Sequence, residues 1–209
     1  MLSFVMLVTS IILAYLIGSF PTSFILARML KGIDIRDVGS GNAGATNVLR
    51  SVGKLPALIT LVVDTLKGVL VVTFVAGFFY SFDIDLDYDF YRSFLGLVVV
   101  CGHIWSVFLK FKGGKGIATT LGVAIGIAPK ILVPSAIMWL VVFATTSYVS
   151  LASIIALITF PIVASISGVS IYIILLSVIL CAISIYKHKS NIGRLIKGEE
   201  NKTRIFGKK

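Results

Sequence analysis

Apolar runs follow one another along almost the whole chain, and this leaves few folds open. A helix of about 20 apolar residues crosses the ~30 Å hydrocarbon core of a bilayer. The runs here lie at about residues 2–30, 55–80, 94–109, 117–128, 131–145, 149–165 and 171–186. Only 13% of the residues are charged, about half the share of a soluble domain. No remaining stretch is long enough for a separate water-soluble domain. The expected fold is an all-α integral membrane protein, a single polytopic domain over residues 1–209 with no internal repeat. Pro21 follows Gly18-Ser19-Phe20 inside the first run and predicts a kink or break there.

Charge sets the expected topology. Lys and Arg accumulate in cytoplasmic loops. Lys31, Arg36, Arg50 and Lys54 place the first loop inside. The connector with Asp83, Asp85, Asp87 and Asp89 carries only Arg92 and goes outside. Lys110, Lys112 and Lys115 bring the next loop inside. The tail, with Lys187, Lys189, Arg194, Lys197, Lys202, Arg204, Lys208 and Lys209, is inside as well. The run 117–128 is awkward, because it makes only about 18 Å of helix. A re-entrant hairpin is the rival, but three later spans would then leave the basic tail outside. Crossing, with local thinning or burial against other helices, gives seven spans, one of them short, with the N-terminus out and the C-terminus cytoplasmic. No Lys or Arg precedes Arg28, so the first run is not expected to be a cleavable signal. The net charge of +10 lies in the loops and tail. It reads as topology and anion handling, with no nucleic acid implied.

The polar runs carry the chemistry. Gly39-Ser40-Gly41-Asn42-Ala43-Gly44-Ala45-Thr46-Asn47 offers flexible backbone, hydroxyls from Ser40 and Thr46 and amides from Asn42 and Asn47. Arg50 follows as a fork-shaped partner for phosphate oxygens. The plainer reading is a flexible loop in which Thr46 or Asn47 caps the next helix. A second run, Lys112-Gly113-Gly114-Lys115-Gly116, leads straight into a helix. Backbone N–H groups there are expected to point at an anion, with the helix end adding partial positive charge. Leu109 and Gly116 stand where a Walker A loop needs Gly and Ser or Thr, so no nucleotide is implied. The plainer reading is a positive-inside stop signal with a glycine turn. Both runs fall on the cytoplasmic side of the expected topology.

Asp64 and Lys67 share a helix face inside the second span, at i and i+3. They form either a self-neutralising structural pair or a cavity that presents Lys67 to a substrate. His103 is a candidate binding residue or a hydrogen-bonded packing histidine. His188 and Asn191 open the tail at i and i+3, where His188 could accept a proton. With Ile192, Leu195 and Ile196 the same segment also reads as an interfacial amphipathic helix. Cys101 and Cys181 lie in apolar runs and read as packing residues. No metal-ligand spacing appears.

Together these runs resemble the bacterial acyl-phosphate:glycerol-3-phosphate acyltransferase family. The match is carried by Gly39 through Arg50, by Gly102-His103 with Phe111-Lys112-Gly113-Gly114-Lys115-Gly116-Ile117-Ala118-Thr119, and by Tyr186-Lys187-His188-Lys189-Ser190-Asn191-Ile192 with Arg194-Leu195. Gly18-Ser19-Phe20-Pro21 and Asp64-Thr65-Leu66-Lys67-Gly68 add to it. Ala43, where a larger apolar residue or Pro is common, is a mild departure. The resemblance implies a seven-span enzyme of the bacterial cell membrane with its active site on the cytoplasmic side. It would move a fatty acyl group from acyl phosphate to the 1-hydroxyl of glycerol 3-phosphate, giving lysophosphatidic acid and phosphate in phospholipid synthesis. It implies no cofactor, contact with membrane lipid and a functional link to an acyl-phosphate-producing enzyme. It places Ser40, His188 and Asn191 among the catalytic residues. Asn42, Thr46, Asn47, Arg50, Lys67, His103, Lys112, Gly113, Gly114, Lys115 and Gly116 are the expected phosphate and substrate contacts. The His-x4-Asp pattern of acyltransferases with soluble donors is absent, since Phe108 and Gly193 stand five residues after the two histidines. No Gly-x-Ser-x-Gly elbow appears either. The alternative function is a transporter of a small phosphorylated compound.

Overall fold

The computed structural model describes residues 1–203. Arg204, Lys208 and Lys209, used above for topology, lie outside the described residues. All regular structure among the described residues is helical, and the chain divides into two compact units, the second beginning at Pro129.

In the first unit, α1 (Leu2–Ser19) and α2 (Thr22–Lys31) are one apolar run broken at Phe20-Pro21. The break falls where Pro21 predicts it, because proline lacks an N–H and blocks the preceding turn. A short helix, α3 (Ala45–Ser51), lies in the first polar loop with Gly44 as its N-cap. Thr46 and Asn47 therefore sit inside its first turn and do not cap it. Helix α4 (Lys54–Leu70) runs through a π-helical turn, Val71–Val75, into α5 (Ala76–Tyr80). Helix α6 (Tyr88–Ile104) starts before the apolar run does, because the Asp87 carboxylate accepts the Phe90 N–H at 2.9 Å and caps it. A 3₁₀ turn, Val107–Leu109, and the glycine loop lead to α7 (Ile117–Ile127). The second unit holds α8 (Pro129–Thr146), α9 (Val149–Ile166), α10 (Ile171–Lys187) and α11 (Lys189–Ile196).

Five stretches among the described residues are helical, long and apolar enough to cross a bilayer: Leu2–Lys31, Lys54–Tyr80, Tyr88–Leu109, Pro129–Thr146 and Val149–Ile166. Helices α10 and α11 make a sixth if their 60° bend lies within one span. Helix α7, with 11 residues, is only about 16 Å long.

Helix packing in the first unit uses small residues. Gly18 of α1 lies against the Val99 backbone of α6, and Gly102 of α6 lies against the Tyr15 carbonyl. Gly68 of α4 meets the Thr119 carbonyl of α7, and Gly122 of α7 meets the Thr65 carbonyl. Close backbone approach of this kind replaces the hydrophobic driving force that helices lack in lipid. Many large apolar side chains face outward: Leu58, Phe74, Leu140 and Ile162 are exposed. A soluble protein rarely shows such a surface, whereas lipid tails cover it without loss. A local core of Ala27, Ile35, Ala43, Val48, Ala57 and Leu109 supports the first polar loop.

Replacing Gly122 by Ala drives a methyl group into the Thr65 carbonyl. This should cost about 1–3 kcal/mol, since the obstacle is backbone. Thermal unfolding in detergent should show a lower midpoint for Gly122→Ala. An unchanged midpoint would contradict the close α4–α7 contact.

Candidate active site

Asn47 builds the first polar loop. It is 1% exposed. Its Nδ2 donates to the Ile35, Val38 and Asn42 carbonyls at 2.8, 3.0 and 3.1 Å, and its Oδ1 accepts the Ser40 N–H at 2.9 Å. The loop is wound around one buried amide. Gly39 and Gly41 take left-handed φ of 60° and 67°, and a Cβ on Gly39 would strike the Asn47 side chain. The amide of Asn47 is thus committed to the loop, and Ser40, Asn42 and Thr46 stand half-buried around it. Arg50 lies exposed on α3.

The glycine loop departs from expectation in one respect. The Gly113 and Gly114 N–H groups do not point at an anion; they donate to the Ile104 and His103 carbonyls, each at 3.1 Å. They satisfy the end of α6, whose last carbonyls have no helical partner. In the same segment Lys112 is exposed and Lys115 half-buried. Gly116, with φ of 86°, turns the chain into that helix.

The structure brings the two loops together. Arg36 Nη1 donates to the Leu109 carbonyl at 3.0 Å, and Asp34 holds the same guanidinium through Nη2 at 2.6 Å and Nε at 3.0 Å. The hydrogen bond from Arg36 holds the Asp34 carboxyl below its ordinary range. Gly114 is buried against the Ala43 carbonyl and the His103 ring, with no room for a side chain.

Asp64 and Lys67 form a buried ion pair at 2.5 Å, with side chains 3% and 5% exposed. Lys67 Nζ also donates to the Phe20 carbonyl at 2.6 Å, and Asp64 Oδ1 accepts from Thr22 Oγ1 at 3.2 Å. The pairing anticipated from the sequence is present. His103 is buried, with Nδ1 3.9 Å from Asp64 Oδ1. A small cavity here is lined by Ser19, Thr22, Ala43, Asp64, His103 and Gly114.

In the second unit, His188 and Asn191 are both buried. His188 Nδ1 lies 2.7 Å from the Ser184 carbonyl. A carbonyl only accepts, so Nδ1 carries the proton and Nε2 is the basic nitrogen of the neutral ring. Asn191 Nδ2 donates to Glu200 Oε1 at 2.6 Å. Ser150 Oγ donates to the same oxygen at 2.8 Å, and Arg194 Nε to Oε2 at 2.7 Å. Burial acts hardest on the Glu200 carboxyl and pushes it up. The hydrogen bonds from Asn191, Ser150 and Arg194, with the Arg194 charge, together outweigh burial and leave it below its ordinary range. Sequence reasoning missed Glu200, Ser150, Asp34 and the bridging role of Arg36. The available signal was Glu200 as an acid in a basic tail. Among the described residues, no three His, Cys, Asp or Glu side chains stand close enough to hold a metal ion.

A family model described as glycerol-3-phosphate acyltransferase matches residues 8–198. The chain belongs to the glycerol-3-phosphate acyltransferase family. It is 44% identical over 190 residues to a glycerol-3-phosphate acyltransferase of Desulforudis audaxviator, covering 91% of this chain and 92% of that one. It is 40% identical over 192 residues to that of Aquifex aeolicus, covering 92% and 96%. Among solved structures it resembles a crystal structure of PlsY (YgiH), an integral membrane glycerol 3-phosphate acyltransferase in its glycerol 3-phosphate form. That match has a TM-score of 0.85 and 38% identity, over 95% of this chain and 96% of the other. The lysophosphatidic acid form matches with a TM-score of 0.82 and 37% identity, over 95% of each chain. The chain is an acyltransferase of an integral membrane family.

In this acyltransferase, the depressed Glu200 carboxyl gives the pH dependence its sign. Its contribution to stability is complete above the usual carboxylate range and is lost as pH falls through its lowered native value. Unfolding midpoints of wild type and Glu200→Gln, followed from neutral pH into acid, should converge as pH drops, with wild type higher at neutral pH. A constant difference across that range would contradict the assignment.

Proposed function

We propose that this enzyme transfers a fatty acyl group from acyl phosphate to the 1-hydroxyl of glycerol 3-phosphate, releasing lysophosphatidic acid and inorganic phosphate. The observation that carries this reading is the match over 95% of the chain to an acyltransferase solved in both a glycerol 3-phosphate form and a lysophosphatidic acid form. Acceptor and acylated product bracket a single acyl transfer. The donor is the one the sequence resemblance implies, and its chemistry suits the residues present. An acyl phosphate is a mixed anhydride whose leaving group departs without an acid to protonate a poor one. An enzyme that aligns two phosphate-bearing substrates and offsets their charge then suffices.

The residues divide the work as follows. Lys112 and Lys115, with Gly116 and the N-terminus of α7, hold one phosphate. Arg50, with Ser40, Asn42 and Thr46, holds the other. Asn47, Gly113 and Gly114 keep these groups in place. The glycerol hydroxyl attacks the acyl carbonyl carbon, the carbon–oxygen bond to phosphate breaks, and the hydroxyl proton passes to a phosphate oxygen. The sequence resemblance adds His188, with Nε2 as its basic nitrogen, and Asn191 to the catalytic residues. No cofactor takes part. The chain acts as one polytopic domain over residues 1–209 in a bacterial plasma membrane. It crosses seven times, α7 included, with the N-terminus outside, and the chemistry is on the cytoplasmic face. An acyl-phosphate-producing enzyme supplies the donor, and lipid surrounds the acyl chain.

The test is purified protein in lipid nanodiscs with glycerol 3-phosphate and, in turn, acyl phosphate, acyl-CoA and acyl carrier protein thioester. Lysophosphatidic acid should appear with acyl phosphate alone. Arg50→Ala and Lys115→Ala should each lower kcat/KM for glycerol 3-phosphate by about 10- to 100-fold. Product from a thioester and none from acyl phosphate would overturn the donor assignment. Glycerol 3-phosphate counterflow in sealed vesicles, with no acylation, would establish a transporter instead.

A further inference from the structure

The break between α1 and α2 leaves helix-end carbonyls and N–H groups without helical partners. It lies inside an apolar stretch, where an unpaired polar group is strongly disfavoured. Two charged side chains from α4 reach it. Lys67 donates to the Phe20 carbonyl at 2.6 Å, and Asp64 accepts from the Thr22 hydroxyl at 3.2 Å. Serines lock the same break to the end of α6. Ser106 Oγ donates to the Ser19 carbonyl at 2.5 Å, and Ser19 Oγ to the Gly102 carbonyl at 3.2 Å. The next residue, His103, faces both ways. Its ring stands 3.9 Å from Asp64 Oδ1 and occupies the space where Gly114 has no side chain. Its carbonyl takes the Gly114 N–H at 3.1 Å.

A buried ion pair is a poor device for raising stability, because desolvation cancels much of the attraction. Its placement here has a geometric use that apolar side chains of the same volume lack. It ties α4 to the helix break through Phe20 and Thr22 and sets Asp64 3.9 Å from the ring of His103, which lies in the last turn of α6 beside the glycine loop. Lys67 is 5% exposed and already has two acceptors, which leaves it poorly placed to meet a substrate as well.

We propose that Asp64 and Lys67, with Thr22, are positioning residues. They fix the α1–α2 break and the ring of His103, and so hold the loop Gly113–Gly116 and the start of α7 in the register that receives a substrate phosphate. The inference rests on the acyl-transfer reading above. It reassigns Lys67 from a substrate contact to a support for the loop that makes the contact.

The test is a double-mutant cycle on the full chain, reading KM for both phosphate substrates, kcat and the unfolding midpoint. Asp64→Asn and His103→Ala should each raise KM for the same substrate by about tenfold or more, with kcat changed less than about threefold. The double variant should be no worse than about twofold beyond the poorer single, because both act through one contact. A second double variant, Asp64→Leu with Lys67→Met, removes both charges. It should recover the wild-type unfolding midpoint while KM stays raised, a separation that a purely structural pair would not give. Multiplying effects in the cycle would overturn the inference, as would a normal KM in the charge-free variant. If Asp64→Asn does not accumulate, Thr22→Val, which deletes one hydroxyl facing the same carboxylate, takes its place with the same expectation. Wild-type protein that makes no lysophosphatidic acid from any donor would refute the acyl-transfer reading, and this inference would fall with it. Active wild type with a multiplicative cycle would refute the inference alone.

Discussion

A polar group shut away from water must find its partner inside the protein, and in an apolar chain this requirement fixes most of the local geometry. Four buried polar side chains meet it at three places, each where the regular helices are interrupted. Asn47 closes the loop between α2 and α3 by serving four backbone groups. The Asp64–Lys67 pair serves the break between α1 and α2. Glu200 gathers Ser150, Asn191 and Arg194 beside α11. Remove any one, and backbone or side-chain groups are left unpaired in a medium that does not solvate them.

This arrangement separates support from ligand contact. The side chains of Asn47, Asp64 and Glu200 are spent on the protein itself. Of the cations at the two loops, Arg50 and Lys112 are exposed and Lys115 is half-buried; these are the side chains proposed above to meet a substrate phosphate. Arg36 belongs with the supports, because Asp34 and the Leu109 carbonyl already share its guanidinium. The loops are therefore shaped before a ligand arrives. On the proposed reading of acyl transfer between two phosphate-bearing substrates, pre-placed charge costs no reorganisation at the moment of reaction.

The sequence made the coarse architecture legible because hydropathy is a local property. The apolar runs became helices within a few residues of their expected ends, and Pro21 marked its break. The i, i+3 spacing of Asp64 and Lys67 allowed their pairing but left open whether Lys67 faces a substrate. What it hid depends on contacts between distant residues. Asn47 looked like a ligand residue or a cap, and only the folded loop shows its amide turned inward. The Gly113 and Gly114 amides looked aimed at an anion, but the end of α6 lies within reach and takes them. Glu200 looked like one more charge in a tail; its partners Asn191 and Ser150 lie 9 and 50 residues away. The short run at α7 shows a different limit. Its length is readable, but length alone leaves its crossing open.

The central claim is that the two polar loops form a phosphate site that exists before any acyl donor binds. Equilibrium dialysis of glycerol 3-phosphate against the purified protein, with no donor present, tests it most directly. Saturable binding that inorganic phosphate displaces is the expected result. Uptake that rises without saturation, or that phosphate leaves untouched, would contradict the account.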